Sequence, residues 1–129
     1  SLQGGIILAS IVQKEVKDYP NEQKVAQVFL KRLKEGSVLG SDVTYQYVGA
    51  ETGQNVTPEL NSPYNTRKVA GLPPTAIANF NITALQALAY PAKTDYNYFV
   101  AGDDGTVYYS KTLEEHESLT RQHCASCFR

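Results

Sequence analysis

The chain has 129 residues, of which 42% are hydrophobic and 19% are charged, and these values predict one domain over residues 1–129. Twelve basic and thirteen acidic residues leave a net charge of -1, which argues against nucleic acid or an anionic membrane surface as a partner. Apolar runs such as residues 6–9 are far shorter than a membrane-spanning helix requires. Because the sequence contains no Met, we expect a domain that is excised from a longer protein or processed at its N-terminus.

Two amphipathic helices are predicted at the start of the chain. Apolar side chains recur at three- and four-residue spacing between Gly5 and Tyr19, and again over residues 25–33. Pro20 is expected to stop the first helix, Asn21 to cap the second, and Gly36 to end it. The pair predicts a helical hairpin with a short turn.

The middle of the chain has a different composition. Residues 38–48 are rich in β-branched and aromatic side chains, which predicts a strand or an extended segment. Residues 49–79 are punctuated by Gly and Pro and show little periodicity, so they predict a long Pro-rich loop. Apolar residues within this loop indicate that it is ordered. Asn81 is expected to cap a short helix over residues 82–90.

The last third of the chain predicts a hairpin and a helix. An Asp-Gly step separates the strand-like residues 96–100 and 106–109, as is typical of a β-hairpin. Thr112 and Glu115 form a capping box for a final helix that runs toward Arg121. The predicted class is α+β: an N-terminal helical hairpin packed on a small, mostly antiparallel sheet, with the Pro-rich loop and a C-terminal helix.

Glu15 is the residue that does not fit its helix face. At about 100° per residue, it falls between Leu8 and Ile11 inside the apolar stripe of the first helix. An apolar environment disfavours the charged carboxylate and raises its pKa toward the range of a general acid. The alternative is a Glu at the edge of the stripe that reaches water or pairs with a basic residue of the second helix.

Other polar residues could join Glu15 in a cleft. Asp42 could supply the second carboxylate of a glycoside hydrolase, or it could be a turn-forming residue. Residues 62–66 offer a hydroxyl, an aromatic ring and an amide, which suit sugar recognition but also ordinary turn chemistry. His116 could hold a proton or orient a neighbour, although its place in the last helix favours an ordinary surface position.

The cysteines and the common catalytic motifs offer little chemistry. Cys124 and Cys127 do not form a disulfide framework, and with His123 they make at most half of a zinc site. They could instead be a redox-labile pair or have no role. The sequence has no nucleophile elbow, phosphate-binding loop or zinc-protease motif. Carboxylate acid-base chemistry remains the candidate.

Nine segments of the chain form an ordered set: residues 7–15, 25–33, 39–44, 62–66, 71–79, 84–87, 91–92, 98–100 and 115–116. Together they resemble the catalytic domain of the bacterial endolytic murein transglycosylases, the YceG-like family. The resemblance runs from about Ile6 to His116. The sequence departs from the family pattern at Gln13, Val43, Thr75 and Phe80. The last three departures affect the expected loop shape and substrate fit.

The resemblance implies a function. The family cleaves the bond between N-acetylmuramic acid and N-acetylglucosamine within peptidoglycan strands, without water, and leaves 1,6-anhydro ends. Glu15 matches its catalytic Glu, and no cofactor or metal is expected. The substrate-binding candidates are Ser41, Asp42, Thr44, Tyr64 and Asn65.

The resemblance also implies a setting. The substrate partner is the peptidoglycan glycan strand, cell-wall synthases are candidate partners, and no nucleic acid is expected. The expected location is the extracytoplasmic face of the cytoplasmic membrane, with membrane attachment only through an N-terminal anchor that lies outside these residues. Two alternatives stay open: a catalytically silent glycan-binding scaffold module, and a lysozyme-like muramidase with Asp42 as the partner carboxylate of Glu15.

Overall fold

The computed structural model describes residues 1–128. Five α-helices and two β-strands follow in the order α1 (Leu2–Glu15), α2 (Tyr19–Lys34), α3 (Asp42–Thr52), α4 (Ile82–Ala89), β1 (Tyr98–Ala101), β2 (Val107–Ser110) and α5 (Leu113–His123). A short 3-10 turn, Ala125–Phe128, follows α5. None of these helices combines the length and the apolar character that spanning a membrane requires. The predicted α+β class is confirmed.

The predicted helical hairpin is confirmed, but its turn is built differently. The Asp18 side chain caps α2 by accepting a hydrogen bond from the Asn21 backbone N–H at 3.0 Å. Pro20 lies in the first turn of α2, where helical N–H groups have no intrahelical partner and a missing one costs nothing. Asn21 is therefore not the cap. Gly36, with a φ of +72°, follows the end of α2 as predicted.

The prediction of a strand over residues 38–48 is wrong, because α3 begins at Asp42. Ser41 is extended and precedes the helix, Asp42 places a negative charge in its first turn, and Gly53 ends it in the left-handed conformation. Only Val38 keeps sheet-like pairing, in an isolated bridge to Ala70. The β-propensity of this segment is outweighed by its helix-start and helix-stop residues and by burial of its first turn.

The core lies between the hairpin helices, α4 and the sheet. Fully buried Ile11 of α1 and Phe29 of α2 belong to one apolar cluster, which α4 joins through Ala84. Phe29 meets Phe99 of β1 edge to face, with ring centroids 5.6 Å apart. The loop after α3 reaches the same cluster through buried Ile77, whose N–H donates to Ser10 Oγ at 3.1 Å.

The sheet is a two-stranded antiparallel hairpin, as predicted. Tyr98 of β1 pairs with Ser110 of β2, and Gly105 takes a φ of +85° in the connecting turn. Thr112 caps α5 by accepting a hydrogen bond from the Glu115 N–H at 3.1 Å, which confirms the predicted cap. Both α2 and α5 pack against β1, so the strand connects these two helices.

Candidate active site

A cleft of about 1000 Å³ opens where the end of α1 meets α2, β1 and α5. The segment that precedes α3 and the loop that follows it complete the lining. Glu15 and Asp42 lie in this cleft, and both were predicted as site residues. His116, considered from the sequence as a residue that could hold a proton, also lines the cleft, and the structure adds four further polar side chains: Arg32, Arg67, Asn97 and Tyr98.

Glu15 is the last residue of α1 and is partly buried. Burial raises the pKa of its carboxyl group from 4.5 to about 7, and the nearby negative charge of Asp42 acts in the same direction. The helix dipole also disfavours a negative charge at the carboxyl end of a helix. Arg32 and Arg67 oppose the shift but do not cancel it. The carboxyl group is therefore poised to give and take a proton near neutral pH.

This raised pKa has a consequence for stability. Between pH 4.5 and about 7, folded Glu15 keeps a proton that the unfolded chain has lost, so its contribution to stability falls as the pH rises through this window. Gln at this position cannot ionise. We expect the unfolding free energy of Glu15→Gln, relative to the parent, to rise by on the order of 1–3 kcal/mol between about pH 4 and about pH 8. Urea unfolding at both pH values measures this difference, and a constant difference would contradict the shift.

Asp42 and Arg67 form an ion pair in the cleft. Arg67 Nε donates to Asp42 Oδ1, and both side chains are roughly half exposed. Asp42 lies in the first turn of α3, where the helix dipole favours a negative charge. The carboxylate is thus held in place near Glu15 without being withdrawn from the cleft.

Ser41 and Thr44 are buried beneath this ion pair. Thr44 Oγ1 donates to the Ser41 carbonyl at 2.7 Å, and the Ser41 N–H donates to Thr66 Oγ1 at 3.0 Å. All three side chains are at most 1% exposed. These contacts join the start of α3 to the loop that carries Arg67, and so they fix the Asp42–Arg67 pair. A direct contact of Ser41 or Thr44 with substrate stays a prediction.

Asn65 and Tyr64 belong to the loop after α3. Asn65 is fully buried, and its Nδ2 donates to the carbonyls of Pro58 and Leu60 at 2.9 and 2.8 Å. Tyr64 packs on Tyr47 with ring centroids 5.3 Å apart. Neither residue is among those that line the cleft around Glu15. Their contacts organise the loop, and their predicted role in substrate binding is not tested by these positions.

Arg32 is a site residue that the sequence reading missed. Its Nη1 donates to the Leu39 carbonyl and its Nη2 to the Asn97 carbonyl, the latter at 2.8 Å. The guanidinium therefore joins α2 to both neighbouring walls of the cleft. A signal was present, because Arg32 follows buried Val28 and Phe29 by four and three residues and so lies on the apolar stripe of α2. Glu15 was recognised by the same signal, a charged residue on the apolar stripe of a helix.

The C-terminal cysteines are joined in the structure. Cys124 and Cys127 form a disulfide, and Cys127 lines the edge of the cleft. Ala125 N and Ser126 Oγ donate to Asp103 in the hairpin turn, which holds the 3-10 turn against the sheet. With both sulfurs in the disulfide, neither is free to bind zinc. Within residues 1–128, no group of three His, Cys, Asp or Glu side chains is placed to hold a metal ion.

The comparison with known families decides the assignment of the chain. The profile of the YceG-like family matches residues 1–122. The chain belongs to the YceG-like family. This confirms the resemblance, and the match ends just before Cys124, so the disulfide lies outside the family match.

Individual relatives agree with the family. The YceG-like chain is 36% identical over 124 residues to the endolytic murein transglycosylase of Bacillus subtilis (strain 168). The alignment covers 94% of this chain and 34% of that protein. It is 30% identical over 130 residues to the endolytic murein transglycosylase of Streptococcus pneumoniae (strain D39). That alignment covers 94% of this chain and 24% of the pneumococcal protein. The chain thus spans about a third or less of these curated relatives.

A solved structure shows the same fold. The crystal structure of a YceG-like protein from Listeria monocytogenes superposes with a TM-score of 0.82 at 39% identity. The match covers 92% of this chain and 40% of the other chain.

Proposed function

We propose that residues 1–129 form the catalytic domain of an endolytic murein transglycosylase. It cleaves the bond between N-acetylmuramic acid and N-acetylglucosamine inside peptidoglycan strands and leaves 1,6-anhydro ends, which limits strand length. The observation that carries the proposal is Glu15, a carboxyl group in an open cleft with a pKa of about 7. The names of the bacterial relatives support the substrate and the reaction.

One carboxyl group suffices for this reaction. Protonated Glu15 gives its proton to the glycosidic oxygen, and the bond from that oxygen to C1 of the muramic acid breaks. The Glu15 carboxylate then takes the proton of the C6 hydroxyl while the C6 oxygen bonds to C1. The sugar supplies its own nucleophile, and Glu15 ends the cycle protonated, as it began.

The charges around Glu15 suit both halves of the cycle. Asp42 and burial favour the protonated acid before cleavage, whereas Arg32 and Arg67 stabilise the carboxylate that cleavage leaves behind. Opposing influences of this kind keep the pKa near neutrality, where an acid can also act as a base. Asp42 can also stabilise positive charge that develops on the sugar ring.

A muramidase reaction is the second candidate, because Asp42 lies in the same cleft and its charge acts on Glu15. Hydrolysis would need Asp42 as nucleophile or as the base that activates water. We expect Asp42→Asn to retain anhydro products. Loss of the Asp42 charge should lower the fraction of Glu15 that is protonated at neutral pH, so the cleavage rate should fall by about tenfold or less. A loss as large as that of Glu15→Gln would favour hydrolysis.

Digestion of uncross-linked glycan strands, followed by mass spectrometry, tests the proposal. The proposed reaction gives muramyl ends that are lighter by one water, whereas hydrolysis gives reducing ends. Binding of glycan by the parent protein without any cleavage product would favour the silent scaffold module. Glu15→Gln should give no anhydro products in this assay. Glu51→Gln, at an exposed position of α3, is its matched control because it removes a carboxylate outside the cleft.

The setting follows from the substrate. We propose that the domain acts on the extracytoplasmic side of the bacterial membrane, where peptidoglycan lies. Attachment through an N-terminal anchor and cooperation with cell-wall synthases are further parts of this proposal. Cleavage of purified glycan strands by the domain, compared with and without added purified synthase, would test the second part.

A further inference from the structure

His116 and Tyr98 form part of the cleft wall. His116 lies at the end of the first turn of α5, and its ring stacks on Tyr98 of β1 with centroids 5.1 Å apart and planes at 21°. Both residues line the cleft that contains Glu15. The stack fixes the plane of the imidazole and therefore the direction in which its ring nitrogens point.

The surroundings of His116 keep its ring neutral. Its Nδ1 is buried and has no hydrogen-bond partner within residues 1–128. A charged imidazolium carries a proton on both nitrogens and would leave a buried donor unmatched. The permanently charged Arg32 guanidinium lies 5.9 Å from the Tyr98 ring centroid. Burial and then Arg32 lower the pKa of His116, whereas Glu117 acts in the opposite direction.

The neutral ring has one preferred tautomer. A buried lone pair without a donor is tolerated better than a buried N–H without an acceptor. Nδ1 therefore carries the lone pair, and the proton resides on Nε2. Nε2 makes no hydrogen bond to residues 1–128, and unlike Nδ1 it is not buried. It is therefore the ring nitrogen that a molecule in the cleft can reach.

We propose that His116 is a substrate-contacting residue that donates a hydrogen bond from Nε2 to an acetamido carbonyl of the glycan strand. This inference rests on the proposed function, since it takes peptidoglycan as the ligand. Both sugars of the strand carry an acetamido group, whose carbonyl is a stronger acceptor than a hydroxyl or a ring oxygen. The contact would select N-acetylated strands and orient the sugar relative to Glu15.

The second histidine offers a matched control. The sequence contains two His, and His123 also stacks on a tyrosine, Tyr108 of β2, with centroids 3.9 Å apart. His123 ends the same helix but is not among the residues that line the cleft. Phe at either position keeps a ring on its tyrosine and removes the ring nitrogens. The two substitutions therefore differ in access to the cleft.

The test uses the chain with Glu15→Gln, which binds glycan without cleaving it. N-acetylated glycan oligosaccharides are titrated while the two histidine ring signals are followed by NMR. We expect the His116 signal to move and the His123 signal to stay. His116→Phe should weaken binding by about five- to tenfold, as expected for one hydrogen bond, whereas His123→Phe should change it by less than about twofold. His116→Asn, which keeps a donor, should recover part of the loss.

A chemically de-N-acetylated oligosaccharide identifies the acceptor. The loss caused by His116→Phe should disappear with this ligand if the acetamido carbonyl is the partner. Equal binding of acetylated glycan by Glu15→Gln with and without His116→Phe, or an unmoved His116 signal, would overturn the proposal. Failure of the proposed function would be observed separately, as the absence of anhydro products when the parent protein digests glycan strands.

Discussion

Glu15→Gln is expected to reduce the release of anhydro-muramyl products by about 10³-fold. Gln has nearly the same size and polarity but cannot donate a proton to the glycosidic oxygen or take one from the C6 hydroxyl. The side chain is partly buried and the pKa of its carboxyl group is raised. Replacing it with a neutral amide therefore removes the free-energy cost of burying a charge and adds no new cost. The thermal midpoint should therefore not fall. Initial rates from mass spectrometry and a thermal melt give both numbers.

Glu51→Gln, on the exposed side of α3, should retain the parental rate in the same assay. A Glu15→Gln protein with the parental rate would remove Glu15 from the mechanism. A fall in both variants would indicate a general effect of lost negative charge.

Arg32→Ala is expected to have the largest effect on stability among the cleft residues. The guanidinium donates to the carbonyls of Leu39 and Asn97, and its removal leaves two partly buried acceptors without their charged donor. We expect a loss of about 2–4 kcal/mol in the free energy of unfolding. For a domain of this size, the thermal midpoint should fall by about 10 °C. Urea unfolding monitored by tyrosine fluorescence measures the change.

Lys31→Ala is the matched control for Arg32. Lys31 precedes Arg32 in α2 and pairs at 2.7 Å with Asp95, whose side chain is 75% exposed. Exposed pairs of this kind contribute about 0–1 kcal/mol. Arg32→Lys should fall between the two, because one ammonium cannot reach both carbonyls in the fixed geometry of a guanidinium. Equal losses for Arg32→Ala and Lys31→Ala would contradict the role assigned to Arg32.

Local patterns were sufficient for α1, α2, α4, α5 and the hairpin, but not for α3. The stripe of α1 identified Glu15 as a misplaced carboxylate, and the Asp-Gly turn and the Thr112 cap placed the last elements correctly. In each case the deciding contacts are a few residues apart, so periodicity and capping carry the information.

Two features depend on distant contacts and could not be predicted in this way. The segment around Thr44 has strand-like composition, but it folds as a helix whose first turn is buried against Thr66. Arg67 reaches the cleft only because its loop folds back on the start of α3 to pair with Asp42. No spacing in the sequence joins residues that are 25 positions apart.

The direction of α1 has a practical consequence. The helix extends from Leu2 to Glu15, and at 1.5 Å per residue its two ends are about 20 Å apart. A tag or a surface linkage fused before Ser1 is therefore attached at the far end of this helix from the acid and leaves the cleft open. Cys127, near the other end of the chain, instead lines the cleft itself. Immobilised enzyme for glycan digestion should accordingly be coupled through its amino terminus.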